Sequence, residues 1–291
     1  AGQAQAVMFT GDDAGNNLFS DADNWDGTGS GTGGLPGANE SINISADGTT
    51  SNNPAIIDSS FGVVELTFGY MYSGGAEGTG TSYVEILSNA TLKATGTFIG
   101  NQGNQWYDGY VTLRSGGTMD NRYQNSSWMG VGGESANMFG SLILEPDATV
   151  NATLLRLYDY GTVSFQLGED SITTINTTKS SATDSNVVDG TVMIDMADLT
   201  TKGSYALIDS SSTNVTLSGA LIDDIVSAGG IISNASQSTH LDVLNAGTWE
   251  WELATADDNQ DLVLTVIPEP ATFGLMGIAL GAMMMFRRKK R

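Results

Sequence analysis

No cysteine occurs anywhere in the 291 residues. Disulfide frameworks, thiolate zinc sites and cysteine nucleophiles are therefore all excluded, and stability has to come from packing and backbone pairing. Histidine occurs once, as His240. A Ser-His-Asp arrangement would have to use it, with Asp242 two residues on and on the same side of a strand, but a lone histidine beside a strand reads as a surface residue. Cations are scarce as well. Five of the eleven Lys and Arg residues form the run Arg287, Arg288, Lys289, Lys290 and Arg291, which leaves six against 33 Asp and Glu, a balance of −27 before that run. Such a field repels nucleic-acid phosphates and attracts cations, so no nucleic-acid partner is expected. No cofactor or dedicated metal site is expected either, beyond weak association of Ca2+ with the acidic surface. A positively charged, apolar leader is also missing before Ala1. The expectation is a chain from which an export signal has been removed, with Ala4-Gln5-Ala6 as a further peptidase site that would put the mature start at Val7.

What is abundant is glycine, 37 residues, together with Ser, Thr, Asn and Asp. That composition suits many short strands joined by turns. Residues 1–60 read as a loop-rich N-terminal cap in which Ile42-Asn43-Ile44 alternates like a first strand. From residue 61 to 199 a pattern recurs: "YVEILSNATL" at 83–92, "YVTLRSGGTM" at 110–119 and "SLILEPDATV" at 141–150, with starts 27 and 31 residues apart. Aligned, these place Val84, Val111 and Leu142 in one column, Ile86, Leu113 and Leu144 in a second, Thr91, Thr118 and Thr149 in a third, and Leu92, Met119 and Val150 in a fourth. Alternation puts one face of each strand inward, and a small-residue turn bends the chain before the next inward residue. A single coil of this kind cannot bury its own apolar face, whereas stacked coils share one core and satisfy one another's backbone groups. "FGVVELTFGY" (61–70) and "YGTVSFQLGED" (160–170) are further candidate coils. The fold class is thus all-β, a parallel β-helix or β-solenoid, with a β-sandwich as the alternative that short strands and frequent turns also fit. Residues 200–267 read as a C-terminal β segment whose last part, Trp249 to Leu253 and Leu262 to Ile267, is a hairpin capping the open end of the stack.

Residues 268–291 differ from everything before them. Pro268-Glu269-Pro270 is followed by sixteen uncharged residues, 271–286, and then by the five cations. A membrane span needs about 20 apolar residues, with a range of about 17–25. The run is slightly short, and snorkelling of Arg287 and Arg288 closes a gap of one turn. The expectation is a single hydrophobic α-helix with its basic end in the cytoplasm and the body outside. With no Ser- or Gly-rich spacer before Pro268, the body should sit close against the membrane while the tail is attached.

The order of triplet, Gly-containing apolar segment and basic terminus resembles the PEP-CTERM sorting signal of Gram-negative bacteria. The resemblance covers residues 267–291. It implies recognition of Pro268, Glu269 and Pro270 by a membrane-embedded exosortase, passage through the inner membrane, and Arg287 to Arg291 as the cytoplasmic stop. It also implies delivery to the cell surface or the polysaccharide matrix. The body is similar to the passenger-type β-helices of such surface proteins, with Asn24-Trp25 and Leu35 to Gly37 near the start and "GSYALID" (203–209) near the end.

Elsewhere the candidate chemistry is thin. Carboxylate pairs (Asp12-Asp13, Asp223-Asp224, Asp257-Asp258) are expected by chance among 33 acids. Lys93, Arg114 and Arg156 are the cations a lyase would use, but no two share an aligned column. Asp257, Asn259 and Asp261 match the first ligands of a calcium loop, but Leu262 stands where glycine belongs and no closing Glu follows, so a hairpin turn is the better reading. "DADNWDG" (21–27) fails because Trp25 takes a ligand position. Trp106, Tyr107, Tyr123 and Trp128 lie among Asn and Gln in inserts between coils, where they are candidate glycan contacts or packing over a coil. The expectation is an exported structural and adhesive protein, not an enzyme, associated with exopolysaccharide. A self-associating filament subunit and a carbohydrate-binding or carbohydrate-cleaving protein are the alternatives.

Overall fold

The computed structural model describes residues 7–11, 17–26, 35, 42–44, 49–58, 71–73, 80–94, 96–100, 107–122, 129–134, 138–168, 173–178, 185–210 and 215–267. Short strands follow one another in threes. The first full coil has Gly80–Ile86, Thr91–Lys93 and Thr97–Ile99. Tyr107–Leu113, Thr118–Asn121 and Met129–Val131 form the next, then Gly140–Leu144, Thr149–Ala152 and Leu155–Leu157. Gly161–Gln166, Thr174–Thr177 and Ser185–Val188 follow, and then Thr191–Asp195, Gly203–Ser210 and Thr216–Ser218. Equivalent strands pair in parallel from coil to coil within three sheets, the first of seven strands, the second of eight, three of them antiparallel additions at its C-terminal end, and the third of five. The first sheet opens with Ala55–Ile57 and ends with Leu241–Leu244. A smaller parallel sheet joins Val7–Phe9, Ile42–Ile44 and Met71–Ser73.

The aligned sequence columns are the ladder of the sheets. Val84 pairs with Val111 and Val111 with Leu142, and the column continues through Val163, Val192 and Leu241. Thr91, Thr118 and Thr149 stack in register and lead to Thr174, with Leu92, Met119, Val150 and Ile175 beside them on the inner face. The turn between the first and second strands of a coil has a fixed chemistry: Asn89, Gly116 and Asp147, two residues before the stacked threonines, all adopt left-handed backbone. Gly, Asn and Asp are the residues that tolerate that conformation, which is why the turn recurs without a recurring residue. Parallel pairing throughout the stack rules out the β-sandwich, whose sheets are antiparallel. Of the two further candidate coils, 161–166 takes its place in the first sheet, while 61–70 lies outside the described residues.

The interior is apolar along its length, from Ile57 through Phe165 to Leu264, and one group of buried polar side chains lies at the corner between the second and third sheets. There Asn186, fully buried, accepts from the Leu155 N–H at 2.8 Å and donates to Thr177 Oγ1 at 2.8 Å. Removing it leaves the buried Leu155 N–H without its side-chain acceptor and takes one hydrogen bond from Thr177, so Asn186→Ala is expected to lower the unfolding free energy by about 1–3 kcal/mol. Urea unfolding monitored by tryptophan fluorescence would show it.

Residues 200–267 hold a helix in addition to the β segment that the sequence pattern implied. Ala220–Ser227 is an α-helix, so a hydrophobic tail helix would not be the single helix of the chain. Leu221, Ile222 and Ile225 fall on one helical face and are buried, and Gly229 and Gly230, both left-handed, end the segment. A strand would have split those three residues between two faces. The hairpin runs Glu250–Ala256 and Asp261–Ile267, and its second strand pairs antiparallel with Gly203–Ser210, extending the second sheet past the last coil. Ile231–Ile232 adds the outermost strand of that sheet.

Candidate functional site

The feature with the clearest chemical instruction starts where the body stops. Ile267 is still paired, opposite Glu250, so strand structure reaches the residue before the Pro-Glu-Pro triplet. Proline has no N–H for a ladder and disfavours helical backbone in the residue before it, so a strand ending at Pro268 is what the sequence dictates. Pro268, Glu269, Pro270, the apolar run 271–286 and the basic run 287–291 lie outside the described residues. Among the described residues no helix is long and apolar enough to cross a membrane.

The scarce cations are consumed singly. Arg114 sits at the corner after the first-sheet strand, with Nη2 2.6 Å from Glu85 on the preceding coil and Nη1 2.5 Å from Glu145 on the next. Hydrogen bonding to Glu85 first, then to Glu145, pushes its pKa further above the ordinary guanidinium value. Arg122 donates through Nε and Nη2 to both oxygens of Asp120, and this pairing holds the Asp120 carboxyl below its usual range. Lys93 lies on the second sheet and Arg156 on the third. The three candidate lyase cations therefore occupy a corner and two different faces, and the fold does not bring them together.

His240 meets a different acid from the one its sequence neighbourhood suggested. Its Nδ1 lies 3.1 Å from Asp224 Oδ2 on the helix, and Ser238 Oγ donates to the same oxygen at 2.6 Å. The His240 N–H donates to Ser238 Oγ at 3.0 Å. In a nucleophilic relay the serine proton goes to the imidazole. Here it goes to the carboxylate, so the trio ties the helix to the segment entering Leu241–Leu244. The Ser238 hydrogen bond, followed by the His240 contact, holds the Asp224 carboxyl below its usual range. A depressed folded-state carboxyl contributes stability above its unfolded value of about 4 and loses it as pH falls through the folded value. Asp224→Ala is thus expected to cost about 1 kcal/mol at pH 7, roughly 2–4 °C in melting temperature. The gap between variant and parent should close in strong acid, as thermal melts across the acid range would show.

Asp257–Gln260 is the hairpin turn, with Asp257, Asp258 and Asn259 all left-handed. Asn259 is committed locally, its side chain accepting from Thr255 Oγ1 at 2.5 Å and its carbonyl from the Leu217 N–H at 2.6 Å. Asp261, whose Oδ1 accepts from the Ser210 N–H, is pushed up by burial and by neighbouring Asp209 and Asp257. No group of three His, Cys, Asp or Glu side chains placed to hold a metal occurs among the described residues. Asp12-Asp13 lie outside them. In 21–27, Asp21 caps a short 3-10 turn, and Trp25 is buried in a cluster with Phe9 and Phe19.

Trp106, Tyr123 and Trp128 also lie outside the described residues, and Tyr107 is described only as the first residue of its strand. The aromatic surface that is described lies elsewhere. Tyr83 and Tyr110 stack at 5.0 Å on the outer face of the first sheet, and Phe139 follows at 5.6 Å from Tyr110. The signal was in the alignment, where both tyrosines open their repeats. Stacking turns the ring faces of Tyr83 and Tyr110 toward one another, so this row stabilises neighbouring coils in the first place.

The family description "PEP-CTERM protein-sorting motif" matches residues 266–290. No curated protein and no solved structure matches the chain. The molecule is a parallel β-solenoid carrying the recognition signal for exosortase, and the motif starts inside its last strand. It is an exported protein with a C-terminal sorting tail.

Proposed function

We propose that this chain is a non-enzymatic structural protein of the cell surface or extracellular matrix, delivered by its tail and acting mechanically and adhesively. The reading is carried by the junction at residue 267, where the sorting motif begins within the last strand of the antiparallel hairpin that extends the parallel stack. Such a stack is stiff because each coil is hydrogen-bonded to both neighbours along its length. Its acidic surface allows divalent cations to bridge it to anionic exopolysaccharide. The test compares cells with and without exosortase. Processed protein in the surface or matrix fraction of the competent cells, released by a chelator, supports the proposal; processed protein in the medium, with matrix cohesion unchanged on deleting it, overturns it.

A second reading, a self-assembling filament subunit, is favoured by one observation. Leu241–Leu244 is the terminal strand of the first sheet, and an open strand edge is a template for pairing with another copy. Sedimentation of the purified protein into fibres would favour it over a monomeric coat.

A further inference from the structure

Three of the four large apolar side chains exposed among the described residues lie at the C-terminal end of the stack: Val226 at 61%, Ile231 at 45% and Leu244 at 42%. Val226 is on the outer side of the helix, whose Leu221, Ile222 and Ile225 face the core. Ile231 is on the outermost strand of the second sheet, and Leu244 on the last strand of the first. The chain leaves the body at this same end. From Leu244 it runs through a short turn to Glu250, which lies opposite Ile267, so the exit point and Leu244 share one corner. Across the second sheet the order from the edge is Ile231–Ile232, Glu250–Ala256, Asp261–Ile267.

Two lengths then decide the geometry. The strand that ends at Ile267 is two strand spacings from the outermost strand, about 10 Å. The link between Ile267 and the apolar run is Pro268-Glu269-Pro270, so residue 271 is four residue steps from Ile267, at most about 14 Å. A bilayer entered at residue 271 therefore lies level with the end carrying Val226 and Ile231. We infer that, while the tail is attached, the C-terminal end of the solenoid rests on the membrane surface, with Val226, Ile231 and Leu244 against the lipid headgroup and acyl boundary. This rests on the reading of residues 271–286 as the membrane anchor. The lipid is zwitterionic rather than anionic, because Asp223 and Asp242 are exposed on the same end and the body carries a large negative charge. Exosortase then meets its triplet in the narrow gap between body and bilayer, and release of the body uncovers the apolar end.

The absence of native cysteine makes the test direct. Full-length protein carrying a single spin label at Val226→Cys, Ile231→Cys or, as a mid-stack control, Thr112→Cys is reconstituted into phosphatidylcholine vesicles. Collisions with lipid-soluble oxygen and with a water-soluble nickel chelate are then compared. Labels at 226 and 231 are expected to have oxygen-to-nickel ratios several-fold above that at 112, and a Gly-Ser linker inserted between Ile267 and Pro268 should abolish the difference. Protein that floats with the vesicles but shows aqueous labels at all three positions overturns the inference and leaves the anchor reading intact. Protein that does not float removes the anchor reading itself. Spin–spin broadening between labels at 226 would mean that a second copy covers this end instead, which also overturns the inference.

Discussion

Gly132→Ala is expected to lower the unfolding free energy by about 2–5 kcal/mol, the sum of about 1–2 for forcing a side chain into left-handed backbone and about 1–3 for overpacking. Gly132 has φ +74°, and a Cβ there would stand 2.2 Å from the Gly161 nitrogen and 2.4 Å from its Cα. Those are backbone atoms of the next coil but one, and they cannot swing aside. The same corner is closed from below by Gly140, where a Cβ would lie 2.1 Å from the Ile99 carbonyl oxygen and 2.2 Å from the Gly132 nitrogen. Gly132 is also held by its own N–H, which donates to the Ile99 carbonyl at 2.7 Å. Here, where the third sheet turns into the first, coils approach with backbone against backbone. Two companion variants separate the contributions. Gly116→Ala has φ +76° with nothing within 4 Å, so it carries only the conformational cost, about 1–2 kcal/mol. Gly203→Ala meets nothing closer than 3.8 Å, without a left-handed φ, and is expected to be near neutral. Urea midpoints for the three should rank in that order; equal losses for Gly132→Ala and Gly116→Ala would show that the corner has room to give.

That corner was readable in the sequence in principle. Gly109, Gly140 and Gly161 stack in one ladder position two residues before the first apolar column. The apolar columns were legible because burial selects large side chains with period two, and because a left-handed turn fixes the phase between the strands of a coil. A glycine column selects for the absence of a side chain, which looks like ordinary turn composition in a chain with 37 glycines. The later coils were harder for another reason. Val192 and Leu241 are ladder neighbours, yet they are 49 residues apart, with a helix inserted between them. The Asp224, Ser238 and His240 contact was hidden in the same way, since it depends on that helix folding back onto the loop before the last strand. The sorting motif was legible because it is a linear signal, carried by the order of residues rather than by the fold.

Simultaneous Pro268→Ala, Glu269→Ala and Pro270→Ala substitution is expected to leave the body intact and abolish its processing, a near all-or-none effect on the mass and location of the protein. The body should tolerate it because no strand described includes those residues, and the last ladder contacts, Ile267 with Glu250 and Val266 with Trp251, end before them. Thermal melting of the variant should therefore match that of the parent. The tail should not tolerate it. Two prolines remove backbone donors and restrict φ on either side of a carboxylate, and three alanines restore the donors and remove both the restriction and the charge that a processing enzyme would read. In exosortase-competent cells the parent should yield an intact mass lacking everything after about residue 270. The variant should yield the full-length mass in the inner-membrane fraction, its five terminal cations held on the cytoplasmic side. Glu269→Gln alone divides the two recognition elements: retained processing assigns recognition to the proline-fixed backbone, and loss assigns it to the charge. If the triple variant were still processed to the shorter mass, recognition would have to lie in the apolar run, and the tight junction between Ile267 and the tail would be incidental to sorting.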